Sequence, residues 1–241
     1  VDNYPDILHK LNTIVYQINN NKSIKPEILL DNQFRFSEII IEKAIMEKGY
    51  VKLYAKICYD LFKTFNTLKK ENSNNIVNDS ENLQTLLITE CKQIFNDYQY
   101  NKDISEENYI IKKKFLGNIN FICELIDVKL FPQKIGFEFL DSLFKNYEKN
   151  CDDNKYLNLE GIITLLNKFG KIVFEEKNEK FLEDLNYYMK ECITPMIQEN
   201  NKKIPDYLKY KIINLIEKQK NNWEESMFEK SITAKGKLNE L

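Results

Sequence analysis

Isoleucine, leucine and phenylalanine return at every third or fourth position through most of this 241-residue chain, and only six glycines and five prolines break the pattern. That period belongs to a helix with one buried face, whereas a half-buried strand would alternate every second residue. The chain is therefore expected to be all-α. The breaks mark off predicted helices over residues 4–20, 36–48, 51–70, 83–98, 106–126, 132–145, 156–169, 179–199 and 205–218. Pro132 and Pro205 stand where helices open, Gly49 and Gly170 where they close, the usual punctuation. Taken in pairs, these helices repeat every roughly 40 to 50 residues, the period of HEAT-like hairpins. A single antiparallel pair cannot bury its apolar face alone, so the pairs must stack. The expected architecture is a right-handed α-solenoid of about five HEAT-like antiparallel helix pairs. Residues 71–82, "ENSNNIVNDSEN", are too poor in apolar groups to pack and read as a polar mobile insert. A repeat domain is expected over residues 1–223, followed by a tail at 224–241 that is partly helical or packed on the last repeat.

The formal net charge of -2 argues against a uniformly basic nucleic-acid binder, although local patches can still attract phosphate. Arg35 is the only arginine, so phosphate contacts would come from lysine point charges rather than bidentate guanidinium forks. The five cysteines, Cys58, Cys91, Cys123, Cys151 and Cys192, are scattered singly and read as reduced core residues of a cytoplasmic or nuclear protein. No apolar run is long enough to cross a membrane, and the start "VDNYPDILHK" is not expected to be a signal peptide. The abrupt start and polar end read as those of a segment of a longer chain. With His9 the only histidine, a histidine triad or histidine-rich metal site has almost nothing to draw on, and no phosphate-binding glycine loop or nucleophile elbow is present. No catalytic residue, cofactor or metal is expected.

One helix is unusual. In "IIKKKFLGNINFICELI", residues 110–126, a helical wheel gathers Ile111, Phe115, Ile119, Ile122 and Ile126 on one arc, and Asn118 falls inside it. A buried amide needs partners, so Asn118 reads either as a structural pin between repeats, bonded to the backbone of an inter-helix turn, or as a partner contact. Gly117 lies off the arc near Glu124 and Lys113, with Asn120 and Asp127 on the solvent face. A glycine inside a helix costs about 1 kcal/mol against alanine, which suggests a close approach to the backbone at this point.

That stretch resembles the third-repeat signature of the middle domain of eukaryotic translation initiation factor 4 gamma, a basic run leading into Leu-Gly-Asn-Ile-x-Phe-Ile-Gly-Glu-Leu, with Cys123 standing in place of the second glycine. Three further stretches are similar in order and spacing. "IIIEKAIMEKGYVKLYAKIC" matches at Glu42, Lys43, Ala44, Glu47, Tyr54, Ala55 and Cys58. "LLITECKQIFN" matches at Leu86, Leu87, Cys91 and Phe95, and "YLKYKIINLIEKQKNNW" resembles the last repeat's first helix with the Asn-x-Trp that follows it.

The resemblance implies a scaffold without catalysis that binds a DEAD-box RNA helicase, initiation factor 4A, and holds its two lobes half-closed. It implies a helicase-binding role for Tyr210, in the place of a family phenylalanine, and for Lys209. Trp223 either caps the open end of the repeats or touches the partner. Weak, non-specific RNA binding is implied as well, and the lysines that permit it are Lys112, Lys113 and Lys114, and in the last repeat Lys202, Lys203 and Lys211, the last in a place the family fills with an apolar residue. Between 200 and 220 six lysines face two acids. The resemblance leaves the ribosome-recruiting initiation factor 3 complex open as a further partner, and points to a cytoplasmic monomer with no membrane contact. A sibling scaffold of the same superfamily, acting in mRNA decay, splicing or poly(A)-dependent control, is the alternative.

Overall fold

The computed structural model describes residues 5–6, 9–11, 13, 16–17, 26–71, 83–100, 108–149, 153–198 and 204–224. Among them there is no strand, and the fold class is all-α, helix packed on helix. The predicted insert beyond residue 71 and the tail beyond residue 224 lie outside the described residues, as do Cys151, Lys202 and Lys203. The chain divides into two compact units, Val1–Gly136 and Phe137–Leu241.

In the first unit α1 (Pro26–Met46) leads through a 3₁₀ turn (Lys48–Tyr50) into α2 (Val51–Glu71), followed by α3 (Leu83–Tyr100) and α4 (Asn108–Asp127). The second predicted helix was expected to start at residue 36. The helix instead begins at Pro26, whose fixed φ and missing N–H suit the first turn, so the polar "DNQ" at 31–33 lies inside a helix rather than before one. Each helix contributes a stripe at helical spacing: Ile41, Ala44 and Ile45 from α1; Ala55, Cys58 and Leu61 from α2; Leu83, Leu87, Cys91 and Phe95 from α3. All three pack on α4, which is why α4 is buried almost all round. Glu124, expected beside the solvent face, is 5% exposed.

Two local devices fix the ends of these helices. Tyr54 donates to Glu47, which also pairs with Lys43 at 3.1 Å, tying the turn to α2. Burial, and then the bond to Glu47, push the Tyr54 phenol up to about 12. At the end of α4, Lys129 takes a left-handed conformation, φ 64°. The amides of Leu130 and Phe131 then return to the Leu125 carbonyl, and Gln84 of α3 donates to the Leu130 carbonyl at 2.5 Å.

The second unit takes in α5 (Gln133–Lys149) from Phe137 onward, α6 (Asp153–Glu176), α7 (Glu179–Tyr187), a π-helical stretch (Tyr188–Ile193), the short α8 (Pro195–Gln198) and α9 (Asp206–Lys220). Two expectations are corrected here. Gly170 does not close a helix, since α6 runs on through Ile172 and Val173, both buried. The single helix expected over 179–199 is broken by Pro195, which lacks an N–H and crowds the preceding turn. The backbone widens ahead of it, and Thr194 N–H reaches back five residues to the Met189 carbonyl. Lys177 in a left-handed conformation turns the chain between α6 and α7, and the Asn178 side chain caps α7 by accepting from the Phe181 amide. Around this corner Phe137 stacks on Phe181 and meets Phe169 edge-on, while Phe144 stacks on Tyr188. Tyr188 donates to Asp141.

Candidate partner-binding surface

The last described helix, α9, carries the features that the resemblance ties to helicase binding. It opens at Pro205, whose carbonyl accepts from the amides of Leu208 and Lys209. Leu208, Ile212 and Leu215 form its buried stripe, and the opposite side leaves Tyr207, Tyr210 and Ile213 at 48%, 68% and 37% exposure. Exposed aromatic and branched apolar side chains on adjoining turns are what a partner-binding helix presents. Lys209 is half-buried, its ammonium 3.2 Å from Asp206.

Four ties hold α9 in place. Lys211 Nζ lies 2.5 Å from Oε1 of Glu160, a residue of α6 that is 6% exposed. Lys218 Nζ donates to Asn167 Oδ1 at 2.7 Å, and Gln219 Nε2 to Asn186 Oδ1 at 3.3 Å. Trp223, 2% exposed, lies on Gly170 so closely that a Cβ there would come within 2.3 Å of its ring. The positions rise together, 160 with 211, 167 with 218 and 170 with 223, so α9 runs alongside α6 in the same direction. Trp223 reaches this place because Asn222 and Trp223 are both left-handed, φ 56° and 62°, with the Trp223 amide returning to the Lys218 carbonyl. Its indole is therefore buried against α6 rather than exposed.

In the first unit, Lys112 and Lys113 are half-buried and Lys114 is exposed at the head of α4, next to Tyr109 and Ile110 at 73% and 51% exposure. Asn118 is fully buried, and its Nδ2 donates to the carbonyl of Cys91 at 2.8 Å. That carbonyl lies within α3 rather than in an inter-helix turn. Gly117 faces Ile45 of α1, where a Cβ would come within 2.5 Å of the carbonyl oxygen. Cys58 and Cys91 are buried thiols pushed well above their ordinary range, by burial first.

Sequence reasoning missed Tyr207 and Ile213, which the three-residue steps on either side of Tyr210 would have put beside it. It also missed Glu160, a single carboxylate inside the apolar run "YLNLEGIITLL". Among the described residues no group of three or more His, Cys, Asp or Glu could hold a metal, and no helix is long and apolar enough to cross a membrane.

The sequence is similar to several known proteins. A von Willebrand factor A domain-containing protein of Dictyostelium discoideum is 27% identical over 188 residues, 78% of this chain and 8% of that protein. Eukaryotic translation initiation factor 4G of Arabidopsis thaliana is 23% identical over 218 residues, 82% of this chain and 12% of the relative. Eukaryotic translation initiation factor 4 gamma 2 of Homo sapiens is 22% identical over 200 residues, 77% of this chain and 21% of the relative. The chain thus spans between 8% and 21% of the length of these relatives. The MIF4G domain family matches residues 11–222, most of the chain, and this chain belongs to that family.

Proposed function

We propose that this domain is a translation-initiation scaffold that binds the DEAD-box helicase initiation factor 4A and speeds its cycle by favouring a half-closed arrangement of its two lobes. The observation that carries the reading is the exposed Tyr207, Tyr210 and Ile213 face of α9, on a MIF4G chain whose relatives include initiation factors 4G. A scaffold that touches both lobes stabilises only the lobe separations that match its own contact spacing, and shifts the equilibrium by no more than its differential affinity for them. The reading assigns the protein to the cytoplasm and gives it no catalytic group. Lys112, Lys113 and Lys114, with Lys202 and Lys203, supply weak, salt-dependent RNA contacts without sequence readout. The initiation factor 3 complex is a further partner of the same assembly. The test is the affinity of the helicase for the wild type and for Tyr210→Ala. Truncating an exposed aromatic anchor is expected to weaken binding by about 10-fold or more with the melting temperature unchanged, and an unchanged affinity removes Tyr210 from the interface.

A second reading, a MIF4G scaffold outside initiation, is favoured by the 27% identity to the von Willebrand factor A domain-containing protein, above the 23% to the Arabidopsis initiation factor. It predicts a folded domain without helicase stimulation.

A further inference from the structure

We infer that Lys211 is a positioning residue, which fixes the rotation of α9 on α6 and so aims Tyr207 and Tyr210 outward, rather than a contact for RNA phosphate. The inference rests on the helicase-binding reading of that face.

Glu160 is a carboxylate in the seam between α6 and α9, with its neighbours Leu159, Ile162 and Ile163 at 5% exposure or less. A carboxylate so placed is stable only when paired. Lys211 answers it at 2.5 Å with a side chain 45% exposed, so the aliphatic stem crosses from the solvent side while the ammonium turns inward. The same ammonium lies 5.7 Å from the centre of the Tyr207 ring, linking the buried charge to the exposed aromatic face. An ammonium committed to an interior carboxylate is a poor phosphate contact, because reaching out to a phosphate would give up the 2.5 Å charge-assisted bond to Glu160.

The pair is also directional. Leu208, Ile212 and Leu215 would tolerate some rotation of α9 in an apolar seam, whereas a charge pair at 2.5 Å favours the rotation that brings Lys211 over Glu160. The tie of Lys218 to Asn167 seven residues further along both helices repeats the constraint, and the seating of Trp223 on Gly170 ends it.

Trp223 is the only tryptophan, so its emission reports the seating of α9 without any partner. The experiment compares the full chain with Lys211→Met, Lys211→Arg and the double variant Lys211→Met/Glu160→Met. Three quantities are read: tryptophan emission, affinity for the helicase, and the salt dependence of binding to a single-stranded RNA. In Lys211→Met the emission shifts to the red and helicase affinity falls about tenfold, the loss expected if about one molecule in ten keeps α9 seated, while the RNA salt slope is unchanged. The double variant, which removes the buried charge along with its partner, recovers both emission and helicase affinity, and Lys211→Arg keeps them. Unshifted emission in Lys211→Met together with a shallower RNA salt slope, not recovered in the double variant, overturns the inference and returns Lys211 to the RNA. If the wild type binds no helicase, the functional reading fails by itself, and the emission of Lys211→Met then decides the inference: a red shift recovered in the double variant upholds it, and no shift overturns it.

Discussion

Gly117→Ala puts one methyl group where two helices meet. The added Cβ would lie 2.5 Å from the Ile45 carbonyl oxygen, 3.0 Å from its Cγ2 and 3.1 Å from its carbonyl carbon. Carbon and oxygen rest at about 3.3–3.6 Å even in attractive C–H···O contacts, so the overlap approaches an ångström. The carbonyl belongs to the helical backbone of α1 and cannot swing aside as a side chain would, which leaves a shift of α1 against α4 as the only relief. Overpacking of this kind costs about 1–3 kcal/mol, with a rigid backbone neighbour placing it at the upper end, while alanine returns about 1 kcal/mol through helix propensity. The expected net loss is about 2 kcal/mol, or roughly 4–8 °C of melting temperature for a chain of this size. Gly49→Ala is the internal control, since nothing lies within 4 Å of a Cβ there and Gly49 has no positive φ. It should be neutral or stabilising by up to about 1 kcal/mol. Thermal melts followed by circular dichroism measure both, and a Gly117→Ala protein as stable as Gly49→Ala would refute the packing of α4 on α1 described above.

Three further outcomes are expected. Asn118→Ala loses the Nδ2 bond to Cys91, worth about 1 kcal/mol, but also removes a buried Oδ1 that has no hydrogen-bond partner; urea unfolding should show a loss of about 1–2 kcal/mol, and one above about 4 kcal/mol would mean that the amide holds more than this. Gly170→Ala drives a Cβ into the Trp223 ring at 2.3 Å, so the tryptophan emission should shift to the red and helicase affinity should fall with it; unchanged emission would contradict the seating of Trp223. Stability should fall as pH rises above about 9: Tyr54, Cys58 and Cys91 all hold their protons more tightly when folded, burial being the first cause for each. Their contribution is full below the unfolded-state values of 10.0 and 9.0 and is lost as these groups ionise at higher pH. Melting temperatures flat from pH 7 to 11 would show that these groups are not buried.

The helical period placed α2, α3 and the core of α9 within a residue or two because each has one apolar face and a polar break at its end. Elsewhere the local signal and the packing disagree. The helix expected from residue 36 instead starts at Pro26, so the polar residues 31–33 lie inside it. Gly170 looks like a helix end because glycine commonly stands there, but here it serves as a hole for a tryptophan 53 residues away in sequence, and no local pattern carries that distance. The amphipathic wheel of α4 put Glu124 near solvent because a wheel knows one neighbouring surface, whereas three helices pack on α4. Lysines were legible as charge but not as partners: Lys211 looks like its neighbours in the sequence and differs only through Glu160, 51 positions away.

Activation of a DEAD-box initiation helicase by this MIF4G domain, as proposed, is open to direct test. The direct measurement is the RNA-dependent ATPase rate of initiation factor 4A with and without the domain, at two salt concentrations. The expected result is stimulation that saturates with a measurable complex and that survives the higher salt, because the α9 face is largely apolar and aromatic. A folded domain that forms no complex and leaves the rate unchanged at both salts would contradict it, and would move the function to a MIF4G scaffold outside initiation.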